Sequence, residues 1–212
     1  MTAGRIERFP LFPLGLVLLP HEVVPLHIFE ERYKAMIGEC LDEQREFGIV
    51  WLSQDGLRQI GCGARVARVL ERTEDGRMNI LAEGTRPFRL LRRIDDLVYP
   101  AGEVELLEDA DAEAAIDSEL LAAALERYAD VVDRATDTRP EPSDLTGLDA
   151  YRMAAMVDFD LAAKQELLEL RGEEARLRRV RELFDLMLAQ IDHAERTGEI
   201  ARTNGRARQG RP

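Results

Sequence analysis

Residues 9–33, FPLFPLGLVLLPHEVVPLHIFEERY, decide how the chain is read. Pro10, Pro13, Pro20 and Pro25 cut this stretch into short apolar pieces. Proline cannot donate to a strand ladder, so each one marks a strand edge or a bend. Leu16–Leu19 reads as a short buried strand stopped by Pro20, and Val23–Ile28 as a second extended piece. The period then changes. Phe29, Tyr33, Met36, Ile37 and Cys40 recur at three and four residues, which predicts a helix over residues 30–44 with one apolar stripe. Proline-bracketed strands that run straight into one amphipathic helix open a β-rich unit.

Further along, Phe47–Leu52 is an apolar strand with Trp51 in its core. Residues 60–70 and 78–91 flank Thr73-Glu74-Asp75-Gly76-Arg77, and Asp-Gly between β-prone runs signals a hairpin. Gly61 and Gly63 suggest a bulge or sharp bend. Gly84–Pro87 interrupts the partner strand, Phe88–Ile94 continues it, and Val98–Leu107 supplies the last strand. Short strands with sharp bends and a single helix predict a curled sheet or small pseudo-barrel.

From Glu103 to Glu119 the chain carries eight carboxylates and no basic residue, which reads as a solvated crossing between two halves. Alanine, leucine, glutamate and arginine then dominate in helical periodicity. Asp111 is placed to cap a helix over residues 112–134, whose inner face is Ile116, Leu120, Ala124, Tyr128 and Val131. Ser143 is placed to cap a helix over residues 144–157, with Leu145, Leu148, Met153 and Met156 inward. A third helix covers residues 161–171 and closes on Gly172, and a fourth covers residues 173–196 with Leu177, Val180, Phe184, Met187 and Ile191 inward. Short loops between them imply an antiparallel bundle. Past residue 197 the composition is polar and aperiodic, as in a disordered tail. The expected fold is therefore α+β: a β-rich subdomain over residues 5–109, a helical bundle over residues 110–196, and an Arg-rich tail over residues 197–212.

At 212 residues and 45% hydrophobic content the chain can bury a real core. It shows no apolar run long enough for a membrane span and no secretory signal. Two cysteines make no disulfide framework and fit a reducing cytoplasm. A net charge of −12 places general nucleic-acid binding at a disadvantage. Lys34 and Lys164 are the only lysines among 29 basic residues, and neither follows a glycine, so there is no Gly-Lys-Ser/Thr phosphate loop. Ser53, Ser118 and Ser143 lie in no Gly-x-Ser-x-Gly elbow and three residues from no lysine. His21 and His27 are six apart with Pro25 between them, which does not suit a zinc motif. We expect no cofactor, no metal and no enzymatic activity.

Two segments carry a family resemblance. Phe9–Leu14 through Leu18-Leu19-Pro20 and Pro25–Tyr33 is one, and Ala82-Glu83-Gly84-Thr85-Arg86-Pro87-Phe88 is the other. With the helical run Asp160–Glu169, which contains Lys164-Gln165-Glu166-Leu167-Leu168, and Arg176-Leu177 after it, the chain resembles the N-terminal substrate-binding domain of Lon proteases. That domain also occurs in free-standing bacterial proteins and in cereblon. The resemblance covers about residues 5–195. It implies a PUA-like β subdomain, a helical bundle, and a role in binding client proteins or peptides, with a separate protease or chaperone as a possible receiver. The ATPase and Ser-Lys protease parts of full-length Lon have no counterpart in these residues. The expected oligomeric state is monomer or weak dimer. Peptide contacts are expected at Phe12, Leu14, His27, Pro87, Phe88 and Tyr99, where extended pieces end beside turns; all six also fit simple core packing. An RNA-binding PUA-like protein is the alternative, with Arg86, Arg89, Arg92 and Arg93 as its densest basic stretch.

Overall fold

The computed structural model describes residues 4–94, 96–110 and 115–207, with side chains through residue 194 and at residue 196. The order of elements is β1 (Arg5–Leu14), β2 (Val23–Ile28), α1 (Glu31–Asp42), β3 (Phe47–Ser53), β4 (Gly56–Leu57), β5 (Ile60–Arg72), β6 (Met78–Ile94), β7 (Ala101–Leu106), α2 (Ser118–Thr136), α3 (Ala150–Ala155), α4 (Leu161–Glu169) and α5 (Glu173–Ala207).

Strands β1, β7, β6, β5 and β3 pair in that order, and β1 returns to β3 in parallel register, Leu11 opposite Gly48 through Leu14 opposite Trp51. The ring is closed, so the curled sheet is a small barrel. β1 is thus an interior strand. Pro10 and Pro13 do not end it; they sit opposite Ala101 and Val50. The 17-residue β6 serves two purposes. Its second half belongs to the barrel. Its first half, Met78–Glu83, lies between β2 and the far end of β5 in a three-stranded wing. The Asp75-Gly76 turn closes the wing as the sequence suggested: Gly76 has φ 81° and the Thr73 amide donates to the Arg77 carbonyl at 2.9 Å. Gly84–Pro87 does not break β6, because its bulges against β5 absorb the irregularity.

Phe9, Leu11, Val50, Phe88 and Val104 fill the barrel. Gly48 and Gly61 leave the space that the Phe88 ring occupies, since a Cβ at either would lie within 2.8 Å of that ring. The larger core lies outside the barrel. It joins Phe12, Phe47 and Ile49, the α1 stripe Tyr33, Met36, Ile37 and Cys40, the inner face of the wing, and the helices. Phe29, expected on that stripe, is instead 58% exposed, because α1 begins only at Glu31.

Val17–Leu19 is buried, with Leu16 partly so, but the run is not a strand. A buried loop must satisfy its backbone without a ladder. Here Glu22 does so: one carboxylate oxygen accepts the Leu19 amide at 2.9 Å, and the other accepts Lys164 Nζ at 2.6 Å. The Glu22 carbonyl also accepts the Gly84 amide, and the His21 amide donates to the Gly84 carbonyl, both at 2.9 Å. Glu22 therefore ties loop, wing and α4 together. Removing one partner from a buried pair leaves a bare charge, at a cost of about 3 kcal/mol. Lys164→Met is expected to lose that much in urea denaturation. Adding Glu22→Gln, which keeps an acceptor for Leu19 without the charge, should restore part of it; a double variant no more stable than Lys164→Met would count against the pair.

In the second half, α2 starts at Ser118 and is capped by Asp117, whose side chain accepts the amides of Glu119 and Leu120; Asp111 lies outside the described residues. Leu120, Ala124, Tyr128 and Val131 are buried as expected, while Ile116 precedes the helix and is exposed. Residues 142–147, with Gly147 at φ 76°, are in turns, so α3 is short and is capped by Asp149 rather than Ser143. Met156 falls beyond its end and is exposed. Gly172 does not terminate α4, which ends at an extended Leu170; its carbonyl accepts the Arg176 amide at the start of α5. The helices are not a simple antiparallel bundle. Asp117 meets Glu174, Arg127 meets Asp185 and Arg134 meets Asp192, so α2 and α5 run parallel, with α3 and α4 returning the chain between them. α5 continues as helix through Ala207, where a disordered tail was expected; residues 208–212 lie outside the described residues.

Candidate functional site

Register places three cross-strand rows on the outer face of the wing. Val23, Glu83 and Arg65 form one row, Pro25, Leu81 and Arg68 the next, and His27, Asn79 and Glu71 the third. Alternation sends the residues between them, Leu26, Ile28, Ile80, Ala82 and Met78, into the core. The outer face is open. Val23 is 50% exposed, and Leu70, at a bulge in β5, is 52% exposed and lines a groove with Pro25 and His27. A groove of about 520 Å³ over Pro25, His27, Leu70 and Asn79 adjoins another of about 680 Å³ that runs from His27 and Asn79 to the Thr73–Arg77 hairpin.

The third row is hydrogen-bonded throughout. Asn79 Nδ2 donates to Glu71 at 2.8 Å, and Asn79 Oδ1 lies 2.6 Å from His27 Nδ1. An ionised carboxylate only accepts, so Asn79 must turn its oxygen toward His27. In the neutral ring His27 then carries its proton on Nδ1, and Nε2 is left as an acceptor. The exposed Phe29 ring stacks on the imidazole at 5.6 Å and 21°.

A second opening, of about 600 Å³, lies where barrel and helices meet. Pro20, His21, Thr85, Arg86 and Pro87 form its barrel wall; Ile116, Asp149, Tyr151, Glu173 and Arg176 line the helical side. Arg176 holds Asp109 and Glu173 and lies 4.3 Å from the Tyr151 ring centre, so the deep charges of this cleft are already paired.

The structure does not bring the six expected contact residues together. His27 is on the wing face and Pro87 in the junction cleft. Phe12 is buried against Tyr33 and Phe47, and Phe88 fills the barrel against Phe9 at 5.4 Å. Tyr99 is buried with its hydroxyl between Glu39 and Arg45. Leu14 is half-buried against the main core. Packing therefore removes Phe12, Phe88 and Tyr99 from any exposed patch. Leu70, Phe29, Asn79 and Glu71 were not anticipated. Part of the signal for the last two was available: registering the Asp-Gly hairpin sets Asn79 opposite Glu71, while the pairing of Asn79 with His27 depends on the non-local β2–β6 register.

Other chemistry is quiet. Among the described residues no three potential metal ligands converge. Both cysteines are free and buried; burial pushes the Cys40 thiol up to about 11 and Cys62 higher still, which makes them poor nucleophiles. The basic stretch of β6 is matched by acids: Arg89 faces Glu105, Arg92 faces Glu103 and Arg86 faces Glu46, at 3.6–3.9 Å. No helix of the described residues is long and apolar enough to cross a membrane.

Barrel, wing and helices together define an α+β domain whose open surfaces lie on the wing and at the barrel–helix junction. The family model described as the ATP-dependent protease La (LON) substrate-binding domain matches residues 8–185, and the chain belongs to that family. The Lon protease of Anaeromyxobacter dehalogenans is 26% identical over 216 residues, covering 92% of this chain and 25% of that protein. The Lon protease of Escherichia coli K12 is 24% identical over 208 residues, covering 91% and 26%. The chain thus spans about a quarter of the length of the curated relatives it matches. The Lon N-terminal domain protein from Xanthomonas campestris superposes with a TM-score of 0.61 at 27% identity, over 82% of this chain and 97% of that one. The N-terminal domain of Mycobacterium avium complex Lon protease gives 0.57 at 21% identity, over 84% and 98%, and bears on the fold alone.

Proposed function

We propose that this chain is a non-catalytic polypeptide-binding module, a substrate-recognition or adaptor unit that engages unfolded or specific client proteins on the outer face of the wing. The observation that carries this reading is the open face itself: Val23, Pro25, Leu70 and Phe29 stand exposed on a sheet whose other face is core. Pro25 and Leu70 line one groove with His27, and exposed apolar side chains at a groove mark partner surfaces. Family membership supports the same reading. His27 lies within this surface, and Pro87 offers a second contact at the junction cleft. The module works in the cytoplasm, as monomer or weak dimer, without a cofactor and without peptidase or ATPase activity of its own; a separate protease or chaperone receives the client.

The RNA alternative has less support. Binding a phosphate backbone requires basic side chains free to displace counterions, and Arg86, Arg89 and Arg92 face carboxylates on a chain of net charge −12.

A labelled, permanently unfolded polypeptide titrated with the protein tests the proposal. We expect saturable binding that falls at least about tenfold in Phe29→Asp plus Leu70→Asp, the scale of losing one or two interface anchors. Because both side chains are exposed, the thermal midpoint should not move. Undiminished binding by a folded double variant would remove the wing face from the proposal.

A further inference from the structure

The geometry points to a sequence preference at this surface: we propose that the wing groove takes an extended segment in which a lysine or arginine and an apolar residue are two positions apart. The inference rests on the polypeptide-binding reading above and adds the chemistry of the bound segment.

Two features of the wing lead to it. The first is hydrogen-bond valence in the His27–Asn79–Glu71 row. Glu71 uses one oxygen on Asn79, and its other has no partner among the described residues. In the neutral ring the relay places the His27 proton on Nδ1, so Nε2 presents a lone pair. Both ends of the row accept, and one is a carboxylate whose neighbour in the row is a neutral amide. The complementary side chain donates and carries positive charge. Nearby, Glu74 adds a carboxylate at the hairpin, where Asp75 and Arg77 pair with each other at 2.7 Å. Arg68 stands in the adjacent row, and Arg72, next to Glu71 along β5, lines the hairpin end of the same cavity. These two arginines restrict the favourable place for a cation to the Glu71 row.

The second feature is spacing. The middle row offers Pro25 and Leu81, with Leu70 beside them, as an apolar step. Adjacent rows on one face are two residues apart along each strand, and an extended peptide also repeats every two residues. A cation seated over Asn79, between His27 and Glu71, therefore brings the side chain two positions away over Leu81 and Pro25. A side chain one position away would point off the face.

Three nine-residue peptides, otherwise Gly and Ser, discriminate these claims by fluorescence polarisation: Arg-Ser-Leu, Arg-Leu-Ser and Glu-Ser-Leu at the centre. We expect Arg-Ser-Leu to bind about fivefold or more tighter than the other two, the scale of one partly exposed charge contact plus one apolar contact, and to weaken with salt. Glu71→Gln should abolish the advantage over Glu-Ser-Leu, and His27→Phe, which keeps the stack on Phe29, should reduce it. Both positions are exposed, so a shared thermal midpoint certifies the fold. Equal binding of all three peptides, preference for the acidic one, or an advantage that survives Glu71→Gln would overturn the proposal. If all three bind alike while the unfolded polypeptide still binds through Phe29 and Leu70, only the sequence preference fails. If neither peptide nor polypeptide binds, both readings fall.

Discussion

Gly84→Ala is expected to abolish the native fold or lower its thermal midpoint by more than about 10 °C. Gly84 lies in β6 where the buried 16–22 loop crosses the sheet. A Cβ there would fall far inside contact distance of the Leu19 carbonyl oxygen and 2.9 Å from its carbon. Both are backbone atoms, so no side chain can rotate away; the loop must move. It cannot move freely, because the Gly84 amide and carbonyl hold Glu22 and His21, and the Glu22 carboxylate holds the Leu19 amide and Lys164. Overpacking of this kind costs about 1–3 kcal/mol, and each lost buried hydrogen bond adds about 1 kcal/mol. The total approaches the whole stability of many domains, about 5–15 kcal/mol. Each kcal/mol moves the midpoint of a chain this size by about 2–4 °C. Gly38→Ala is the control: it lies in α1 with nothing within 4 Å of an added Cβ, and should be neutral or stabilising by about 1 kcal/mol. Calorimetry of the two variants checks the claim, and a Gly84→Ala midpoint within about 2 °C of wild type, under one kcal/mol, would refute it.

The same loop shows where sequence reading stops. Leu16–Leu19 is an unbroken apolar run, and such a run reads as a buried strand. What holds it otherwise is Glu22, which meets both the amide and the carbonyl of Leu19 and is itself fixed from afar, its backbone and that of His21 by Gly84 on β6 and its carboxylate by Lys164 on α4. By contrast the Asp75-Gly76 hairpin and the stripe Tyr33, Met36, Ile37 and Cys40 were legible, because turn chemistry and helical period are local properties. The parallel course of α2 and α5 was not. Short loops imply antiparallel neighbours only if each helix is long enough to span the bundle, and the short α3 is not. For the surface, apolar pattern could not separate Phe12, Phe88 and Tyr99, which are core, from Phe29 and Leu70, which are exposed. A helix starting one residue late and a bulge in β5 decide those cases, and neither leaves a mark in composition.

Arg176→Ala is expected to cost about 3 kcal/mol near neutral pH, the scale of breaking a buried ion pair, and less in acid. The Arg176 side chain is buried, and its guanidinium binds on several sides: Nε and Nη2 donate to Glu173 at 3.1 and 2.9 Å, Nη1 donates to Asp109 at 2.8 Å and to the Leu170 carbonyl at 3.2 Å, and Nη2 also reaches Asp109. Its face covers Tyr151. One side chain thus joins the segment after β7, the end of α4, α3 and the first turn of α5. Lysine cannot substitute, because its three donors radiate from one point and lack the planar fork. Burial already holds the Glu173 carboxyl above the usual glutamate range, and the Arg176 charge opposes that rise. Without the arginine the rise is larger. An acid whose folded pKa lies above its unfolded value favours folding when protonated, and that advantage is lost as pH climbs through the folded value. The penalty of Arg176→Ala should therefore be greatest at pH 7 and shrink as pH falls toward and below the raised Glu173 value. Glu173→Gln in the Arg176→Ala background removes the bare charge while leaving an acceptor for the Ala150 amide, which Glu173 holds at 2.7 Å. It should recover part of the loss at pH 7 and nothing in acid. Urea unfolding of wild type, both single variants and the double variant across that pH range tests the argument, and a penalty independent of pH would show that the guanidinium acts through packing alone.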